Sequence, residues 1–135
     1  MVSYYVQKYN TRNPFELARY LNVQVASGDM GSRAGCYMFL KNHKCIFLND
    51  NLDENEKMLV MAHELGHAIM HRKENCYFIR NKTFLLTSTN EIEANKFAIE
   101  LLISDEFLQE HSHYTIEQLS RMTGYHQKLF ELRLH

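Results

Sequence analysis

Between Met58 and His71 the chain reads Met-Leu-Val-Met-Ala-His-Glu-Leu-Gly-His-Ala-Ile-Met-His, and no other stretch limits the fold as tightly. Asp53 and Glu56 just upstream have the spacing of a capping box, which marks a helix start. Apolar residues then occupy nearly every face of the helix, so it is expected at the centre of the molecule and not on its surface. Yet His63, Glu64 and His67 lie in the middle of it. Buried imidazoles and a buried carboxylate are costly unless something pairs them. The fold must therefore supply these side chains with a common partner.

The spacing indicates what that partner is. His63 and His67 are the ends of an H-E-x-x-H motif, one turn apart on one helix face, where both can reach a single Zn²⁺ at ~2.0–2.1 Å. Glu64 lies beside that face, positioned to take a proton from an attacking water without ligating the metal. Gly66 leaves room for a close neighbour. A catalytic zinc site takes three protein ligands and keeps one position open, so the chain must offer another acid or imidazole. Glu91 fits and Glu93 does not. At ~100° per residue, Glu91 groups with Ala94, Asn95, Ala98, Ile99 and Leu102 on the apolar side of a helix expected over Ser88 to Ile103, whereas Glu93 groups with Lys96 and Glu100. Ala94 and Ala98 permit close helix approach, and Asn95 is placed to orient a ligand side chain. In the competing reading Glu93 caps the helix from Asn90, and Glu91 is a chance buried acid. The expected site is thus one zinc ion per chain on His63, His67 and Glu91, with Glu64 as the base.

His71 continues the row, but it lies ~12 Å from His63 along a straight helix, too far to share the ion. It is expected to support the site or the fold. His43, His111, His113, His126 and His135 fall in loops or in the C-terminal helices. One of them, or Tyr77 or Tyr114, is a candidate donor to the oxyanion of a tetrahedral intermediate, and the sequence does not choose among them.

The remaining segments are short. Asn13-Pro14 opens a helix to Leu21. Val23 to Ala26, Gly35 to Leu40 and Cys45 to Leu48 are rich in β-formers, with Lys41 to Lys44 as a hairpin loop. Pairing Lys41 with Lys44 sets Leu40 opposite Cys45 and Cys36 opposite Asn49. Lys73 to Thr87 is mixed. Thr115 and Gln118 form a second capping box before a short helix ended by Gly124, and Tyr125 to Leu134 is the last helix. The class is α+β with a small antiparallel sheet. The chain has 135 residues, without repeats or an evident linker, which predicts one domain over 1–135, with 105–135 a helical segment packed on it.

Composition removes several function classes. A formal net charge of −1 argues against a general grip on nucleic acid or anionic membrane. No apolar run reaches the length of a membrane span, and Met1 to Asn10 lacks the apolar core of a signal peptide, so a cytoplasmic monomer is expected. Cys36, Cys45 and Cys76 are odd in number and form no Cys-x-x-Cys pair, which predicts reduced, mostly buried thiols.

The run Ala62 to His71, followed by Glu91-Ile92-Glu93-Ala94-Asn95-Lys96-Phe97-Ala98, resembles the ImmA/IrrE family of zinc metallo-endopeptidases. Ile46 to Asn49 before the zinc helix and Leu132-Arg133-Leu134 at the close are also similar, so the resemblance covers most of the chain. It implies a zincin-like fold, in which the small sheet packs on the H-E-x-x-H helix and on a second helix bearing a zinc ligand. It implies His63, His67 and Glu91 as ligands and Glu64 as base. It also implies a protein substrate, a cognate helix-turn-helix repressor of the kind carried by phages and mobile elements. Ile103-Ser104 stands where family members often have proline after the paired leucines. The chain is short for the family, and a separate substrate-recruiting domain is not expected.

The leading expectation is a peptidase that could hold an extended substrate by strand addition along Gly35 to Leu40 or Cys45 to Leu48. A second reading is a zinc-containing module that sequesters the repressor uncut; Glu64 stands against it, because a structural zinc needs no base. A third takes Thr115 to Leu134 as a DNA-reading helix-turn-helix. Its small basic surplus, Arg121, Lys128 and Arg133 against Glu117 and Glu131, favours a packing role instead.

Overall fold

Capping chemistry fixes most helix boundaries in the computed structural model, which describes residues 1–79 and 88–135, with 76–79 described by their backbone alone. The part of the mixed segment that spans 80–87 lies outside the described residues. The sequence carries no strong start signal for α1 (Val2–Tyr9), which buries only Val2 and ends on a left-handed Asn10. Asn13 caps α2 (Pro14–Tyr20) by accepting from the Phe15 and Glu16 amides, and Pro14 opens the helix where its missing N–H is not needed. In α3 (Glu54–Met70) the capping box is complete: Asp53 Oδ1 accepts from the Glu56 amide at 2.8 Å, and the Asp53 amide donates to Glu56 Oε1 at 3.4 Å. Every residue from Leu59 to Ala68 is buried, so the helix is central as its composition requires.

The sheet corrects the antiparallel expectation. Strands β1 (Gln24–Gly28), β2 (Arg33–Leu40), β3 (His43–Asn49) and β4 (Cys76–Ile79) lie in the order β1-β3-β2-β4. The β2–β3 and β2–β4 pairs are antiparallel, but β1 runs parallel to β3. The hairpin partner β2 occupies one side of β3, so β1 takes the other, and the connection from β1 to β2 crosses the end of β3. Buried Asn49 secures that crossing by donating to the Gly31 and Arg33 carbonyls at 3.0 and 2.7 Å.

The hairpin register also differs from expectation. Leu40 opposes His43, Met38 opposes Cys45, and Cys36 opposes Phe47. The turn uses Lys41 and Asn42, both at positive φ (49° and 64°), as a two-residue primed turn demands. The expected pairing would place His43 in the second turn position, where Asn42 enters the left-handed region more readily. Because the slip is by two residues, the same side chains still share a face. Cys36 and Cys45 remain buried free thiols.

Helix α4 (Thr89–Leu102) starts at Ser88, whose hydroxyl accepts from the Glu91 amide, and packs along α3. α5 (Asp105–Glu110) is capped by Ser104, whose hydroxyl accepts from the Phe107 amide at 3.0 Å. Ser104-Asp105-Glu106 is the start signal that the sequence offers for this first helix of the C-terminal helical segment. α6 (Ile116–Thr123) begins with the Thr115–Gln118 capping box and ends at Gly124, where φ of 84° suits glycine. α7 (Gln127–Leu134) packs on α4 and buries Leu129 and Phe130. Arg133 donates to the Ile103 carbonyl at 3.2 Å and to Asp105 at 2.5 Å, which commits its charge to packing. Tyr37 and Ile46 from the sheet, Leu65 from α3, and Ile99 and Leu101 from α4 join Phe130 in the core. Among the described residues, no helix is long and apolar enough to cross a membrane.

Candidate metal centre

Two helices that touch almost backbone to backbone build the centre. A Cβ added to Gly66 would sit 3.2–3.3 Å from Phe97 and from the Ala94 Cα. Ala94 and Ala98 are fully buried on the facing side. Small residues on both helices thus bring the first turn of α4 within reach of the histidines on α3.

His63 Nε2 and His67 Nε2 lie 3.2 Å apart, and Glu91 Oε2 lies 3.1 Å from the first and 2.8 Å from the second. A tetrahedral zinc with bonds of ~2.0–2.1 Å separates its ligand atoms by roughly 3.3 Å. The triangle is therefore slightly contracted relative to a metal-bound one and could hold an ion with little movement. Asn95, buried on α4, faces the His63 Nδ1 at 2.7 Å. With Asn95 Oδ1 accepting from Nδ1–H, the Nε2 of His63 presents its lone pair to the centre. Burial pushes the His63 imidazole below its ordinary value, against the pull of Glu91. Burial alone would raise the Glu91 carboxyl, but hydrogen bonding and charge from His63 and His67 outweigh it and hold the group at about 2. Two imidazole nitrogens and an ionised carboxylate form a donor set suited to a divalent cation.

Glu64 is the outlier. It is fully buried, and neither carboxylate oxygen has a hydrogen-bond partner among the described residues. His63 Nε2 lies 3.9 Å from its Oε1, beyond hydrogen-bond reach. Burial, reinforced by the charge of Glu91, raises its carboxyl well above the usual carboxylate range. A buried acid left in this state is explained if a water and a cation share its pocket. Cys36 on β2 lies near enough for Glu64 to act on it: burial first, then Glu64, push its thiol up.

His71 touches the site, as its position in the row suggests: its Nδ1 lies 2.9 Å from the Nδ1 of His67. Glu93 is exposed as expected, but its Oε1 reaches to 3.5 Å from His71 Nε2. Most of the oxyanion candidates are engaged elsewhere or exposed. His111 donates from Nδ1 to the Phe107 carbonyl at 2.7 Å, His126 Nδ1 accepts from the Lys128 amide, and His43, His113, Tyr114 and His135 are exposed. The side chain of Tyr77 lies outside the description.

An open cleft of about 630 Å³ leads to His67 and Glu91, lined also by Glu74, Asn75, Ser88, Thr89 and Asn90. Cys45 to Leu48 on β3 and Gly35 to Tyr37 on β2 are paired on both sides, which leaves no edge there for strand addition. The outer strands of the described sheet are β1 and β4, and β4 follows directly on Asn75 in the cleft.

Comparison with known proteins agrees with this geometry. The family model of the IrrE N-terminal-like domain, peptidase M78, matches residues 18–135. An uncharacterized immunity region protein of Bacillus phage phi105 is 35% identical over 131 residues, which cover 95% of this chain and 83% of that protein. The metallopeptidase ImmA of Bacillus subtilis strain 168 is 29% identical over 107 residues, 78% of this chain and 62% of ImmA.

Proposed function

The chain belongs to the peptidase M78 family of IrrE N-terminal-like domains, and from that premise we propose that it is a zinc-dependent endopeptidase that cuts a helix-turn-helix repressor of the phage type. The observation that carries the reading is Glu64, buried without a hydrogen-bond partner among the described residues, beside converging imidazole and carboxylate donors. A purely structural metal would not need an acid in that position.

In this reading His63 and His67 hold the ion through Nε2 and Glu91 through Oε2. Two imidazoles and a carboxylate with one position open form the donor set of a catalytic zinc. When bound, zinc supplies Lewis-acid polarisation of the scissile carbonyl and lowers the pKa of the attacking water toward ~7. Glu64 takes the proton from that water on its carboxylate and returns it to the leaving amine. Burial raises its affinity for protons, the direction that favours taking up the proton of the attacking water. Asn95 keeps the His63 ring in the ligating tautomer, and the cleft beside Asn75 and Asn90 admits the substrate chain.

Similarity to a protein of a phage immunity region supports a substrate in the control of phage immunity, acted on in the cytoplasm by a monomer. The test combines the purified, zinc-loaded protein with the repressor encoded beside its gene and maps the products by mass. Discrete fragments that vanish with chelator and return with zinc are expected. A repressor that binds but stays intact would replace proteolysis with sequestration.

A further inference from the structure

We infer that His71 is a positioning residue for the metal: it accepts a hydrogen bond from His67 and thereby fixes the tautomer in which the His67 Nε2 can ligate. The inference rests on the reading of His63, His67 and Glu91 as a metal centre.

The two Nδ1 atoms are 2.9 Å apart, so one hydrogen must lie between them. If His71 donated it, the proton of a neutral His67 would sit on Nε2, aimed at Glu91 Oε2 2.8 Å away. That ring would offer a metal no lone pair. Ligation therefore requires His67 to donate and His71 to accept. His71 must then carry its own proton on Nε2, and one feature favours that arrangement. The nearest carboxylate on that side is Glu93, at 3.5 Å, too long for a well-formed hydrogen bond but of the sign that favours an N–H there. The pair is also held rigidly. His71 is the C-cap of α3, its amide donates to the His67 carbonyl at 2.7 Å, and the two rings lie 5.1 Å apart.

Each metal-facing imidazole thus has an acceptor behind it, Asn95 for His63 and His71 for His67. The first comes from the opposite helix and the second from the end of the same helix. Supports of this kind commonly tune metal affinity by ~10–100-fold.

The test measures zinc affinity by chelator competition, and the visible absorption of the cobalt(II)-loaded protein, for the wild type, His71→Phe and His71→Asn. Circular dichroism of the metal-free proteins monitors the fold. His71→Phe removes the acceptor, so zinc affinity should fall ~10–100-fold and the cobalt bands should shift. The Asn Oδ1 can take the place of Nδ1 as acceptor, so His71→Asn should recover affinity to within about threefold of wild type. If the phenylalanine variant does not fold, His71→Ala takes its place. Unchanged affinity and cobalt spectrum in the variant lacking the acceptor would overturn the inference. So would an asparagine variant as weak as the phenylalanine one. A wild type that binds neither metal would remove the metal centre itself, and this inference with it.

Discussion

The α3–α4 contact and the α4–α7 contact bury their side chains equally well and for opposite reasons. Leu129 and Phe130, like His63, Glu64 and His67, are 0% exposed. The apolar pair gains by leaving water, whereas a buried acid without a hydrogen-bond partner loses. The same chain therefore stabilises itself at one face of α4 and spends stability at the other. Such a loss is tolerated where burial serves chemistry, which is why the polar contact, not the apolar one, marks the site.

The comparison can be broken at its strongest point first. Phe130→Ala should cost ~3–5 kcal/mol of folding stability by leaving a cavity at the base of α4, with zinc affinity of the folded fraction unchanged; denaturant titration with and without zinc reads both. A lost metal site would show that the two contacts are not separable. On the polar side, Glu91→Gln removes a ligand and should weaken zinc by more than the ~100-fold upper end for a supporting residue, and it should also lower metal-free stability, because the fold favours the ionised carboxylate beside His63 and His67. Glu64→Leu sharpens the contrast. It should abolish cleavage yet raise metal-free stability by ~1–3 kcal/mol, since an apolar side chain replaces a buried acid that has no hydrogen-bond partner among the described residues. A large loss of stability would mean that Glu64 has a structural partner. Glu93→Gln should have the smallest effect, within ~0.5 kcal/mol on stability and with zinc binding weakened less than by loss of His71.

The polar contact was legible because each of the two helices encodes its own half of it. The H-E-x-x-H spacing sets His63 and His67 on one face, the wheel of α4 turns Glu91 and Asn95 toward them, and Gly66, Ala94 and Ala98 announce the close approach. Asp53, Ser88 and Thr115 declared their helices by the same local logic. The sheet was not legible to that extent. Alternation marks a strand but does not say which strand lies beside it, so nothing local told that β1 would take the far side of β3 and run parallel. The hairpin slipped by two residues because Asn42, not His43, takes the second turn position. Glu93 shows a finer limit: the wheel correctly turned it toward solvent, yet its long side chain reaches toward His71 at the end of the neighbouring helix. Such reach depends on the crossing of α3 and α4 and leaves no mark on either helix alone.

The central claim is that Glu64 is buried for proton transfer and not to hold the metal. Glu64→Gln tests it most directly, with zinc content, repressor binding and repressor cleavage measured on one preparation. The account predicts about one zinc per chain and intact repressor binding, with cleavage lost by at least ~100-fold because the amide cannot accept the proton from the attacking water. Cleavage at the wild-type rate would contradict it, and so would a variant that loses its zinc together with its activity.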